Sequence, residues 1–313
     1  MSRIDVHHHL LPPPYTRWLR GHGIHQAGGR ELPEWSPERS LALMDAQRIG
    51  AAVLSLSTPG VHLGEDKEAR SVARQVNDYA AARVADHPDR FGFFATLPLP
   101  DLGGALAEAE YALDELAADG VALLANAAGT YLGDPVYEPL MALLDERAAV
   151  VHVHPTELPA PPMPGLPPYA ADFLLDTTRA AMNLVLHDVP RRHPNLRIIL
   201  AHGGGFLPYA AHRIAVALSG QTGRDRADLL ADLSSFFFDT ALTSSPTALP
   251  SLLAFARPGH VLYGSDWPFA PDPAVSYFTA LLDDHDALPA ADQDRIDSGD
   301  ARVLFPRLAK EQP

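Results

Sequence analysis

A chain of 313 residues, 47% of them hydrophobic, is long enough to bury most of its surface in one domain and needs no covalent staples. It has no cysteine, which excludes disulfides, thiolate metal sites and cysteine nucleophiles and accords with a cytoplasmic protein. The net charge of −15, from 24 basic and 39 acidic residues, argues against a nucleic-acid surface and requires that an anionic substrate be met by local arginines.

The N-terminal stretch MSRIDVHHHLLPPP has neither a long apolar run nor a secretory pattern. No later stretch approaches the roughly 20 apolar residues of a membrane helix, so the chain reads as soluble and intracellular. Short β-branched or aromatic runs predict strands at Arg3–His7, Ala51–Ser57, Phe91–Leu97, Val121–Asn126, Ala149–His154, Arg197–His202, Ser234–Thr240 and His260–Asp266. Alanine- and leucine-rich stretches between them predict helices, among them Glu38–Ile49, Lys67–His87, Ala105–Ala118, Val136–Ala148 and Phe173–Arg192. Strand–helix alternation repeated eight times predicts an α/β fold, a (β/α)8 TIM barrel with loop insertions, as one domain over residues 1–313. The seventh strand segment, SSFFFDTA, also fits an amphipathic loop. Two insertions stand out. His22–Trp35 follows the first strand, and Pro155–Pro168 (PTELPAPPMPGLPP) follows the fifth, either as a stiff active-site loop or as a passive spacer. The segment beyond Leu304 is expected to cap the barrel bottom.

The first strand runs into His7-His8-His9. Residues two apart on a strand share a face, so His7 and His9 point one way and His8 the other. A tag remnant would lie outside the fold, whereas this run continues an apolar strand. Three further polar residues stand at strand ends: His154 before Pro155, His202 before Gly203-Gly204-Gly205, and Asp266 before Trp267. Each alone fits an ordinary buried polar residue. In a barrel, however, all strand ends open on one face, so these side chains converge with His7 and His9. Neutral imidazoles with a carboxylate suit a borderline divalent ion such as Zn2+. His152, deeper on the fifth strand, reads as a barrel-interior residue supporting the ligands. The only lysines, Lys67 and Lys310, lie outside the strands. A lysine-bridged pair of metals and Schiff-base catalysis are thereby excluded, and one metal is the simpler reading.

Taken in order, IDVHHHLLPP, VHVHP, AHGGGFLPYAAHRI and LYGSDWPF resemble the amidohydrolase superfamily, and within it the decarboxylase branch typified by aminocarboxymuconate semialdehyde decarboxylase. MDAQRIGAAVLSLSTPGVHLG and RFGFFATLPLPD are similar to the 6-methylsalicylate decarboxylases of that branch. The resemblance extends from about Ile4 to Leu304. It implies a mononuclear site, zinc or sometimes manganese, with His7, His9, His154 and Asp266 as ligands and His202 as the catalytic histidine. It further implies a homodimer in which Arg213 reaches the partner's site to grip a substrate carboxylate, and it matches Arg30 to a second carboxylate-binding arginine. Two departures bear on the substrate. Thr156-Glu157 follows Pro155 where better-known members have an aromatic residue, and the small Ala127-Ala128-Gly129 follows the fourth strand.

These residues predict decarboxylation of a small aromatic or unsaturated acid such as a 2-hydroxybenzoate. Arg213 and Arg30 would hold the carboxylate, and His202 or Asp266 would deliver the proton that replaces carbon dioxide. For Arg30 a surface ion pair is the plainer alternative. Phe173, Phe206 and Trp267 are candidate apolar faces for the ring. Two other classes stay open: a hydrolase of a lactone or amide on the same metal, and a barrel that binds without catalysing.

Overall fold

A computed structural model of the chain describes residues 2–285 and 288–309. Lys310 lies outside the described residues. Eight parallel strands follow one another around a sheet in chain order. They are β1 (Arg3–His9), β2 (Ile49–Ser55), β3 (Phe91–Thr96), β4 (Gly120–Leu124), β5 (Val150–His154), β6 (Arg197–Leu200), β7 (Phe237–Asp239) and β8 (Val261–Leu262). The backbone closes the ring beyond the short β8: Val6 N donates to Tyr263 O at 3.0 Å, Asp266 N to His7 O at 2.7 Å, and His9 N to Trp267 O at 2.7 Å. No helix among the described residues is long and apolar enough to cross a membrane.

Strands buried on both faces need apolar side chains in and out, and the two sets form two cores. Ile4, Val6, Ala51, Val53, Phe94, Ala122, Val150, Ile199 and Leu262 fill the barrel. The alternate residues, such as Leu54, Phe93, Val121, Val151 and Leu200, pack outward under the helices. Phe305 and Leu308 close the lower end of the inner core, as expected for the C-terminal segment. Burying each contributes roughly 1.5–3 kcal/mol.

Strand order and number match the sequence expectation, and the element ends shift for local reasons. The helix expected from Ala105 starts at Leu102, because Asp101 caps it by accepting from Gly104 N at 3.0 Å. The helix expected to reach Arg192 ends at Leu186. Asp188 then turns left-handed (φ 58°), and Pro190 can only begin a new turn. The seventh segment is a strand, not a loop, but it begins at Phe237 because Ser234 and Ser235 still bond back to Ala231 and Asp232. The sixth stops at Leu200, leaving His202 in a tight turn.

The insertion after β1 is an ordered hairpin. Gln26–Ala27 pairs with Arg30–Glu31 around Gly28-Gly29, both at positive φ (58° and 83°), the backbone of a tight hairpin turn. A Cβ on Gly28 would lie 2.5 Å from the Phe173 ring, and one on Gly29 2.8 Å from Pro168. The hairpin thus docks on the end of the proline-rich loop. The residues following that loop, Tyr169 and Ala170, line the large cavity at the barrel mouth. The start of the loop, Thr156, Glu157, Leu158 and Pro159, lines a neighbouring cavity.

Candidate metal centre and active-site cavity

His7 and His9 are wholly buried at the end of β1, and His8 turns outward to Asp5 (2.9 Å) and Ser40 Oγ (2.7 Å). With His154 from β5 and Asp266 from beyond β8, they bring four ligand atoms within 4.8 Å of one another. Each imidazole is oriented through its Nδ1. His7 Nδ1 donates to Asp239 Oδ2 at 2.9 Å, His9 Nδ1 to Ser55 O at 3.2 Å, and His154 Nδ1 to Pro155 O at 2.7 Å. That arrangement turns the Nε2 lone pairs inward.

The inward atoms are all electron-rich. His7 Nε2 and His9 Nε2 stand 3.0 Å apart, and Asp266 Oδ1 lies 3.3 Å from the first and 3.0 Å from the second. Lone pairs at such separations repel unless a proton or a metal cation sits among them. Neighbouring ligand atoms around an ion with bonds of about 2.0–2.1 Å are about 3.3 Å apart, so the residues fit a divalent metal. The centre is a single divalent-metal site. Lys67 sits on the helix Asp66–Asp86, away from it.

Electrostatics follow from burial and this crowding. Burial pulls the His7 imidazole down, but Asp239 and Asp266 outweigh it and raise its pKa to about 10 in the metal-free protein. Burial lowers His9, and burial together with the neighbouring histidines lowers His154 further. Burial would raise Asp266, yet hydrogen bonds from His202, His7 and His9 hold it well below the usual carboxylate range.

His202 Nε2 is 3.5 Å from Asp266 Oδ2, the oxygen turned away from the ligand cluster. Asp266 thus faces the metal position with one oxygen and His202 with the other. Both residues are left-handed (φ 62° and 55°), a conformation that costs a non-glycine residue about 1–3 kcal/mol and recurs at functional sites. His152 lies inside the barrel as expected, stacked on Phe94 with Nε2 3.2 Å from Asp239 Oδ2.

Asp239 was missed from sequence. It is fully buried, and it receives His7 and His152 on Oδ2 and the backbone N–H of His202 (2.9 Å) and Ala241 (3.1 Å) on Oδ1. Its signal was present: a lone acid closing the apolar run SSFFFD, in the place that His154 holds on β5.

Above the centre lies a cavity of about 450 Å³. Its floor includes His154, His202 and Asp266, and its walls include Phe173, Phe206, Leu242 and Tyr169. Arg30 lines it too. Its guanidinium donates to Phe269 O at 3.0 Å and lies 4.4 Å over the Tyr169 ring, with no acidic partner among the described residues. The ion-pair alternative is therefore not what is found. Trp267 corrects an expectation: it does not line the cavity, because its ring packs on His8 and its Nε1 donates to Asp272 at 2.9 Å. Arg213 is exposed on the helix Leu207–Thr222, with no ion pair among the described residues, and does not line the cavity of its own chain.

A parallel eight-stranded barrel with three histidines and an aspartate converging at its strand ends defines a mononuclear metal-dependent barrel enzyme. The chain belongs to the amidohydrolase family, which it matches over residues 4–307. It is 38% identical to decarboxylase macB of Penicillium terrestre, covering 99% of this chain and 97% of that one. It is also 38% identical to the 6-methylsalicylic acid decarboxylase of Penicillium expansum, covering 98% and 97%. The expected branch is thus the one in which these relatives stand. Among solved structures, an amidohydrolase II superposes with a TM-score of 0.92 at 32% identity, covering 97% of this chain and 100% of that one. A dihydroxybenzoic acid decarboxylase from Polaromonas, with bound manganese and 2-nitroresorcinol, shares the fold (TM-score 0.79, 22% identity, 97% of each chain).

Proposed function

We propose that the protein is a metal-dependent decarboxylase of small aromatic carboxylic acids, 2-hydroxybenzoates foremost. The observation that carries this reading is Arg30, an arginine without an acidic partner among the described residues, in an apolar cavity whose floor is the His/Asp centre. The relatives named as decarboxylases at 38% identity support it.

A divalent ion held by His7, His9, His154 and Asp266 supplies positive charge that orients and polarises the acid's oxygens. Zinc suits three imidazoles and one carboxylate, and manganese, the ion of the Polaromonas enzyme, is its competitor. Arg30 binds the carboxylate through charge-assisted hydrogen bonds. Phe173 and Phe206 hold the ring and keep water away. The His202–Asp266 pair holds a proton at the cavity floor and delivers it to the ring carbon that bears the carboxylate. As that carbon–hydrogen bond forms, the bond to the carboxylate breaks. Carbon dioxide leaves, and the electron pair stays with the ring.

The protein acts as a homodimer in this reading, with Arg213, exposed and without an ion pair among the described residues, serving the partner's cavity. The test incubates metal-loaded protein with hydroxybenzoates, lactones and amides, following carbon dioxide and hydrolysis products together. Carbon dioxide from a hydroxybenzoate is expected. Hydrolysis without carbon dioxide would favour a hydrolase on the same metal.

A further inference from the structure

A second cavity, of about 470 Å³, opens beside the first, over the ends of β2 to β5. Thr58 lines both. Its Oγ1 lies 2.9 Å from Thr156 Oγ1, so one hydroxyl pair joins the β2 and β5 loops where the cavities meet. Thr156 stands two residues beyond the ligand His154, which places this partition next to the metal centre.

The second cavity differs chemically from the first. Leu63, Leu97, Leu124 and the small Ala127 give it an apolar wall, and no lysine or arginine is among its described lining residues. Glu157 on the lining disfavours an anion. Thr96 also lines it. Two residues beyond Phe94 on β3, it faces into the barrel, is 6% exposed, and leaves its Oγ1 without a hydrogen-bond partner among the described residues. A buried hydroxyl without a partner is uncommon and marks a place that a ligand atom can complete.

We propose that this second cavity takes the uncharged arm of the substrate, an alkyl or acyl substituent on the aromatic ring, past the Thr58–Thr156 pair. Ring and carboxylate stay with Arg30 and His202 in the first cavity, and Thr96 Oγ1 donates to the oxygen of an acyl arm. The inference rests on the aromatic-acid reading above for the ring but not on turnover.

The experiment titrates metal-loaded protein calorimetrically with 2-nitrophenols bearing arms of increasing length. Their nitro group stands in for the carboxylate and cannot leave as carbon dioxide. Each added methylene should tighten binding about 4-fold, from the roughly 0.8 kcal/mol gained per buried CH2, until the cavity is full. Leu63→Trp, which narrows the cavity, should shrink those increments and leave the unsubstituted probe within about 2-fold. Thr96→Val should weaken an acyl arm about 5-fold and leave an alkyl arm unchanged. Affinity independent of arm length in the unaltered protein overturns the proposal. So does equal weakening of every probe by a folded Leu63→Trp protein, or failure of all probes to bind. Increments without carbon dioxide from the matching acids would count against decarboxylation alone.

Discussion

His7 and Asp239, 232 residues apart in sequence, meet inside the barrel, with Nδ1 of the one 2.9 Å from Oδ2 of the other. The same carboxylate holds the His202 backbone through Oδ1, so one buried acid sets the position of His7 in the candidate metal centre and of His202 beside it. Asp239→Asn should lower metal affinity about 10–100-fold, the usual effect of losing such a partner. Competition against a chelator measures it, and affinity within 2-fold of the parent would remove Asp239 from this role.

His202 and His154 should separate in their effects. His202 faces Asp266 from outside the ligand cluster, whereas His154 is one of its members. His202→Ala is expected to keep about one metal per chain and lose most activity, and His154→Ala to lose both. Elemental analysis beside the activity assay distinguishes them. Equal metal loss in the two variants would make His202 a ligand.

Metal binding should release a proton. The His7 pKa, raised from 6.5 to about 10, means that the metal-free protein carries a proton on this imidazole at about pH 8. A raised pKa stabilises the metal-free fold fully below 6.5, and that contribution is lost as pH rises through about 10. An incoming ion must displace this proton, so calorimetry in buffers of different ionisation enthalpy should show about one proton released per ion at about pH 8. No release would mean that His7 is already neutral.

Arg30 is assigned to the acid and not to the ion. Arg30→Met should raise KM for a hydroxybenzoate about 10-fold or more while leaving metal content unchanged, since the substitution removes a charge-assisted contact. Unchanged KM would leave Arg30 as a packing residue against Tyr169.

Much of this architecture was legible in the sequence for a simple reason. Parallel strands buried on both faces must be short apolar runs, and polar residues at their ends have only the barrel mouth to occupy. His7, His9, His154, His202 and Asp266 fell together on that ground. The rest depended on packing. Whether Trp267 faced the cavity was settled by a bond to Asp272 and a stack on His8. Beyond its place at the end of an apolar run, nothing in its local sequence sets Asp239 apart, and only the fold brings four groups onto it. Thr156 and Ala127 were visible departures, but the second cavity they line arises from loops of β2 to β5 meeting in space. Arg213 lies outside its own chain's cavity, so a role for it needs a second copy.

In the proposed reaction a proton replaces a carboxylate on the substrate's ring, delivered at the floor formed by His202 and Asp266. Its most direct test is the reaction of metal-loaded protein with a 2-hydroxybenzoate in deuterated water, with carbon dioxide and phenol both quantified. Equal amounts of the two are expected, with one deuterium on the ring carbon that bore the carboxylate and none of this after chelation. Phenol without ring deuterium at that carbon, or no carbon dioxide from any hydroxybenzoate with the metal in place, would contradict it.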